Sequence, residues 1–346
     1  KNSFRDHINY GILEVLSGSV LPPKHLPGND VNLVTRFAVF HSERLEKLKS
    51  TKSREIVGVR LMAIFVIMML QPIMVSEDIT LFVMNPSIAI EVAGYISSVP
   101  EVDMKVVTSA MLAVRSFLRF DSRAGEVSAA LHLSSPHGPL LAILRRLREV
   151  VEEKLEMPYE RFFLVAYIDL LIRIAASHEL QGNLVSAGII TETLAVIERV
   201  NPSQHRVAEK LVIVLENLLN KSAAALDPFL TADGLSIIVR KIEELVKGRI
   251  NSVSTYQTKS DSQGFLCSLL RLIERLLVTY STDDRLRNLV EGTLFSYSLR
   301  SIMTQRDTFS SEELAHALVI TASFVHNEPT ALTILQEQQV TQALLE

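Results

Sequence analysis

LVSAGIITETLAVIERV occupies residues 184–200, and FLTADGLSIIVRKIEEL occupies residues 229–245. Each stretch opens with apolar residues, passes through small or polar residues to a glycine, then runs apolar into a charged tail. The apolar residues after the glycine recur at i, i+3, i+4 and i+7, the spacing of one helix face. A glycine ahead of such a run marks a place where the chain reverses, because a left-handed backbone costs glycine nothing and other residues about 1 kcal/mol or more. The phrase therefore reads as a corner followed by a helix, written twice.

Working outward, six stretches have the apolar spacing of longer helices: 53–72, 104–120, 159–177, 205–222, 265–281 and 312–328. Each is followed by a break and a second helix, at 86–99, 137–151, 188–200, 234–246, 293–303 and 340–346. YGILEVLSG (10–18) reads as the second helix of a preceding unit. Anchors at the start of the second helices lie 50 residues apart from Gly138 to Gly188, 46 to Gly234, 58 to Gly292 and 46 to Gln338. The long interval holds a polar insert, GRINSVSTYQTKSDSQG (248–264). A period in the forties with helical units is the signature of armadillo or HEAT arrays. The expectation is an all-α, armadillo/HEAT-like right-handed superhelical solenoid. It comprises six to seven units in one region, 1–346, cut from a longer chain. The long helices, flanked on both sides, become apolar nearly all round, as in LVIVLENLL. The second helices keep charges on a solvent face, Glu198 and Arg199 in one copy and Arg240, Lys241, Glu243 and Glu244 in the next.

Composition agrees with a helical scaffold and removes several functions. Of the 346 residues 48% are hydrophobic, and 13 Gly and 12 Pro leave little turn-rich sequence. A net charge of −4 disfavours nucleic acid as a partner. A single cysteine forbids an internal disulfide and suits a cytoplasmic or nuclear setting. LMAIFVIMML (61–70) is half the length of about 20 residues that a membrane span needs, so it reads as a helix buried in protein. Asn220-Lys221-Ser222 is a formal glycosylation sequon that reads as an unmodified helix end.

No catalytic, cofactor-binding or metal-binding residue is assigned. Cys267, in FLCSLLRLIERLL, is flanked by apolar residues with no base nearby in sequence, the setting of an inert buried thiol. His132 and His137 fall in a turn rich in breakers, and no metal-ligand or phosphate-loop spacing occurs. Glu152-Glu153 and Asp283-Asp284 read as solvated acids. Arg145-Arg146-Leu147-Arg148 and ERLEKLKSTKSRE (43–55) read as mixed-charge surface, the first a candidate partner site.

From residue 138 onward the chain resembles a known family. HGPLLAILRRL, LVSAGIITETLAVIERV and GLSIIVRKIEELV (234–246) carry the resemblance. So do VEGTL…SLRSI (290–302) and FVHNEPTALTILQEQ (324–338). They are similar to the N-terminal armadillo-like region of the giant HECT-type E3 ubiquitin ligases, the HUWE/Tom/UPL group. Before residue 130 the likeness rests on helix pattern. The resemblance implies a non-catalytic scaffold that recruits protein substrates. It would act beside other solenoid parts and a HECT domain of the same chain, which engages an E2 enzyme and ubiquitin through its own cysteine. Cys267 does not match that cysteine. The polar insert is shorter than the acidic inserts common in the family. A generic armadillo adaptor without ligase activity is the alternative, although the absence of Trp disfavours the Asn/Trp ladder of nuclear import receptors. A third class, an enzyme acting within these residues, would require Cys267 exposed beside a base.

Overall fold

The computed structural model describes residues 86–97, 103–152, 161–221, 223–251, 256–280, 293–327, 331–337 and 339–345, with Leu61 and Leu286. The expected helices at 10–18 and most of 53–72, the segment 43–55 and Asp283-Asp284 lie outside these. Among the described residues there is no strand. The α-helices, in chain order, are α1 (Pro86–Ser97), α2 (Met104–Phe117), α3 (Ala124–Ala130), α4 (Pro139–Glu152) and α5 (Arg161–Ala176). Then follow α6 (Gln181–Ala187), α7 (Ile189–Arg199), α8 (His205–Lys221), α9 (Leu226–Thr231) and α10 (Gly234–Asn251). The last are α11 (Tyr256–Thr279), α12 (Thr293–Thr304), α13 (Ser311–Asn327), α14 (Ala331–Glu337) and α15 (Val340–Leu345). None is long and apolar enough to cross a membrane.

The repeat is therefore a triplet rather than the expected pair. A short first helix (α6, α9, α14) leads into a middle helix (α7, α10, α15), and a long third helix follows (α8, α11). The short helices have only 6 or 7 residues, too few to show a helical period in sequence. The middle helices are not always the shorter partner, since α10 has 18 residues against 17 for α8.

The corner between first and middle helix has one backbone form in three repeats, held by three residue types. Gly188 has φ 92°, Asp233 φ 56° and Gln339 φ 61°, each immediately before a middle helix. In each, the corner N–H donates to the carbonyl three residues back: Val185 at 3.1 Å, Leu230 at 3.1 Å and Gln336 at 2.9 Å. Each corner carbonyl then accepts the amide four residues on, from Glu192, Ile237 and Ala343. The expectation of a left-handed glycine thus holds at Gly188 and is corrected at Gly234. There the left-handed residue is Asp233, and Gly234 starts the helix because its missing side chain admits Phe229. A Cβ at Gly234 would stand 2.5 Å from Phe229 Cε2 and 2.7 Å from its carbonyl.

Two compact units divide the chain: 1–131 with 159–170, and 132–158 with 171–346. In the first, α1 packs on α2 and α3, and Val92 and Ile96 of α1 and Met111 and Val114 of α2 are buried. Asp103 caps α2 by accepting the Lys105 amide at 2.8 Å. Arg123 is buried, with its guanidinium 5.1 Å above the Phe117 ring and its Nε 2.7 Å from Glu126. In the second unit two layers run side by side. Middle helices stack as α4, α7, α10 and α12, and long helices stack as α8, α11 and α13. Leu211, Leu215 and Leu218 of α8, and Leu269, Ile273 and Leu276 of α11, are almost wholly buried. Each repeat thereby covers apolar surface its neighbour cannot cover alone.

The polar insert expected at 248–264 is shorter than read. α10 runs on to Asn251 and α11 begins at Tyr256, which leaves 252–255 outside the described residues. Two charges expected on a solvent face are also corrected. Lys241 and Glu243 of α10 are buried, Lys241 donating to Glu244 at 2.6 Å and Glu243 pairing with Lys247. Stacking of α10 between α7 and α12 covers more of its circumference than a single apolar stripe provides.

Candidate interaction surface

Polar rungs tie neighbouring repeats together on both layers of the second unit. Between α4 and α7, Arg145 Nε donates to Glu192 Oε1 at 2.8 Å and Arg148 Nη1 donates to Oε2 at 2.7 Å. Arg146 pairs within its own helix with Glu149, and Leu147 is buried. The basic run read as a candidate partner site is thus mostly spent on the next repeat. Between α7 and α10, Arg240 reaches Glu198 at 3.0 Å. Between α10 and α12, Lys247 lies over the Tyr297 ring at 5.7 Å, and Arg300 of α12 donates to the corner residue Gln339 at 3.1 Å.

On the long-helix layer, Glu216 of α8 accepts Arg271 at 3.0 Å and Arg275 at 2.8 Å from α11. Glu274 of α11 lies 2.6 Å from His316 Nδ1 of α13. The outward stripe of α8 carries Arg206, Lys210, Ile213 and Asn217, spaced i, i+4, i+7 and i+11. On α11 the matching stripe carries Arg271, Arg275 and Val278. Along these stripes Lys210 pairs with Glu209, and Arg271 and Arg275 both pair with Glu216. Asn217 adds an amide that can both donate and accept.

Cys267 is 6% exposed and its thiol is pushed up to about 12, by burial first and then by the negative charges of Glu313 and Glu312. Its surroundings contain a network the sequence reading did not assemble. Arg249, near the end of α10, forms a buried ion pair with Glu313 of α13 and donates to the Thr308 carbonyl at 2.9 Å. Its guanidinium lies 4.9 Å from the Phe309 ring centre. Glu313 also accepts the Ser310 amide at 2.7 Å, and Ser310 Oγ caps the Glu313 amide at 3.3 Å, a capping box. The Ser-x-x-Glu spacing was the available signal. Arg249 was hidden because it sits in a polar stretch that reads as loop. A buried, protonated thiol beside carboxylates that disfavour its thiolate is a poor nucleophile.

His132 and His137 lie in the exposed loop before α4, His132 with φ 49°. His205 opens α8 in a buried position, its ring 5.3 Å from Phe265, and burial followed by Lys241 lowers its pKa. Among the described residues no group of His, Cys, Asp or Glu is disposed to hold a metal ion.

These features define the class first: an all-helical, armadillo-like repeat array. A designed armadillo repeat protein solved in complex with the peptide (KR)4 superposes with a TM-score of 0.54 at 12% identity, covering 82% of this chain and 98% of its own. Sequence goes further. The family model DUF908, a domain of unknown function, matches residues 24–149, and DUF913, likewise of unknown function, matches 209–346. The chain is 25% identical over 268 residues to a probable E3 ubiquitin-protein ligase TOM1 of Eremothecium gossypii, which takes in 74% of this chain and 8% of the relative. It is 24% identical over 277 residues to the E3 ubiquitin-protein ligase ptr1 of Schizosaccharomyces pombe, with 76% and 8% covered. The E3 ubiquitin-protein ligase HUWE1 of Mus musculus matches at 25% over 239 residues, with 61% and 5% covered. The chain is a homologue of one region of these large E3 ubiquitin-protein ligases, and it spans less than a tenth of their length.

Proposed function

We propose that this chain is a non-catalytic scaffold and substrate-recruitment region of a HECT-type E3 ubiquitin-protein ligase, one continuous armadillo-like array within a much longer polypeptide. The observation that carries the reading is its similarity to three E3 ligases over most of its length, in a fold built for extended contact. The mechanism is positional. A client held on the array stands at raised effective concentration near a catalytic cysteine elsewhere in the polypeptide, so transfer accelerates without new chemistry here. A cytoplasmic or nuclear setting follows from the ubiquitin pathway this reading invokes.

The test uses the whole natural polypeptide, isolated with an antibody against residues 138–346 and incubated with E2-bound ubiquitin. A ubiquitin adduct removed by a reducing agent, and retained when Cys267 is changed to Ser, is the expected result. Absence of a thiol-sensitive adduct would leave an armadillo adaptor without ligase chemistry. An adduct lost with Cys267→Ser would move the chemistry into this region.

A further inference from the structure

The loop between α3 and α4 carries SSPHG (134–138). Of the 12 prolines in the chain only Pro136 follows a serine or threonine. A Ser-Pro step is the acceptor that proline-directed protein kinases select, because proline brings no N–H that their pocket would leave unpaired. The step stands where an enzyme reaches it. Ser134, Pro136 and His137 are exposed and Ser135 is partly so, while Leu133 and Leu140 on either side are buried and anchor the loop. The Ser135 hydroxyl oxygen accepts the His137 amide at 3.2 Å, and the Ser135 carbonyl accepts the Gly138 amide at 3.0 Å, so the side chain is held at a fixed point of a tight turn.

A guanidinium already grips this turn. Arg145 Nη1 donates to the Pro136 carbonyl at 2.6 Å while its Nε donates to Glu192 Oε1 at 2.8 Å. One side chain thus ties together the Ser-Pro turn, α4 and α7. Between Glu126 and Glu149 the chain has three arginines and no acidic residue, so no carboxylate of the loop or of the first turns of α4 opposes a new negative charge at Ser135. The carboxylate that meets Arg145 from α7, Glu192, also accepts Arg148 through Oε2 at 2.7 Å. It keeps a cation of its own when Arg145 is shared.

We propose that Ser135 is a phosphorylation site for a proline-directed protein kinase, and that Arg145 holds the phosphate and so clamps the loop to α4 and α7. In the transfer, Ser135 Oγ attacks the γ-phosphorus of ATP bound to the kinase. The Oγ–P bond forms as the bond to the β–γ bridging oxygen breaks, ADP leaves, and the hydroxyl proton passes to the catalytic carboxylate of the kinase. The product carries close to two negative charges at pH 7. Its oxygens stand one residue from the carbonyl that Arg145 Nη1 engages. A charged acceptor makes the shorter and stronger bond, so Nη1 moves from the carbonyl to the phosphate while Nε stays on Glu192. A turn joined to the next repeat through a neutral carbonyl is then joined through an ion pair.

The test treats the full folded chain with a proline-directed kinase and ATP. Mass spectrometry of the intact chain should find one added phosphate, and none in Ser135→Ala. In a phosphorus NMR titration the second ionisation of phosphoserine, ordinarily at about pH 6, should fall about one pH unit lower in the chain than in a synthetic phosphopeptide of residues 131–138, because a guanidinium favours the dianion. Arg145→Gln should bring the midpoint most of the way back to that of the peptide, and Arg146→Gln, in the same run but paired with Glu149, should leave it low. Failure to phosphorylate the folded chain under conditions that phosphorylate the peptide would overturn the acceptor. A midpoint equal to that of the peptide, or one indifferent to Arg145→Gln, would overturn the clamp. The comparison of chain with peptide needs no variant, so it decides the matter however Arg145→Gln folds.

Discussion

Gly188 and Gly234 look alike in sequence and answer to different physics. At Gly188 a side chain would meet nothing within 4 Å, so the cost of Gly188→Ala is the left-handed backbone alone, about 1–2 kcal/mol. At Gly234 the backbone is helical, and the cost of Gly234→Ala is collision with Phe229. Denaturant titration should find Gly234→Ala the more destabilising, with partial recovery in Gly234→Ala/Phe229→Leu and no such recovery for Gly188→Ala. Glu198→Ala, which removes a half-exposed ion pair with Arg240, should change stability by less than about 1 kcal/mol. His205 supplies a pH dependence. Its folded pKa lies below the ordinary value of 6.5, so on acidification the unfolded chain takes the proton first. The stability it contributes is complete above about pH 6.5 and is lost as pH falls through the lower folded value. The Tm difference between wild type and His205→Asn should therefore shrink between pH 7.5 and pH 5, and a constant difference would remove His205 from the account. Cys267 should resist a thiol reagent at pH 8 until the protein is unfolded.

At the scale of elements, the Arg249–Glu313 pair joins α10 to α13 in a buried setting. Removing one partner leaves an uncompensated charge, so Arg249→Ala or Glu313→Ala should cost about 3–5 kcal/mol. The apolar double change Arg249→Met/Glu313→Leu should recover much of it, which melting curves of all three variants would establish. This pair also shows where sequence reading stops. The long helices α8, α11 and α13 were legible to within a few residues, apart from the first turns of α11, because helices covered on two sides must be apolar on both. α6, α9 and α14 were not, since one or two turns cannot display a period. Arg249, Lys241 and Glu243 were missed because charge argues for solvent unless a partner is known. Their partners are within the same helix for Lys241 and Glu243, but 64 residues away for Arg249. The outward stripe of α8 and α11 was not assembled either, since it depends on the register between repeats.

At the scale of the whole molecule, two sets of internal contacts replace a single core. Arrays of this kind lose structure in parts, and a single two-state transition does not describe them. Scanning calorimetry should give a van't Hoff enthalpy below the calorimetric one, and equality of the two would show that the whole chain melts as one. Armadillo character and relation to the large E3 ligases were readable from the period and from residues 138 onward. The fold of the triplet and the identity of the corner residues needed coordinates.

The order of the helices in the second unit has a bearing on biosynthesis. The two supports of α11, namely α8 and α10, both precede it in the chain, and so do α11 and α12 for α13. A nascent chain emerging from the ribosome thus completes each docking surface before the helix that fills it has been translated. Neither α11 nor α13 has to wait, with its apolar stripe bare, for a later partner on the inner side. Within these repeats only the trailing face of the most recent long helix awaits a partner, which keeps the aggregation-prone surface of the growing array to about one helix.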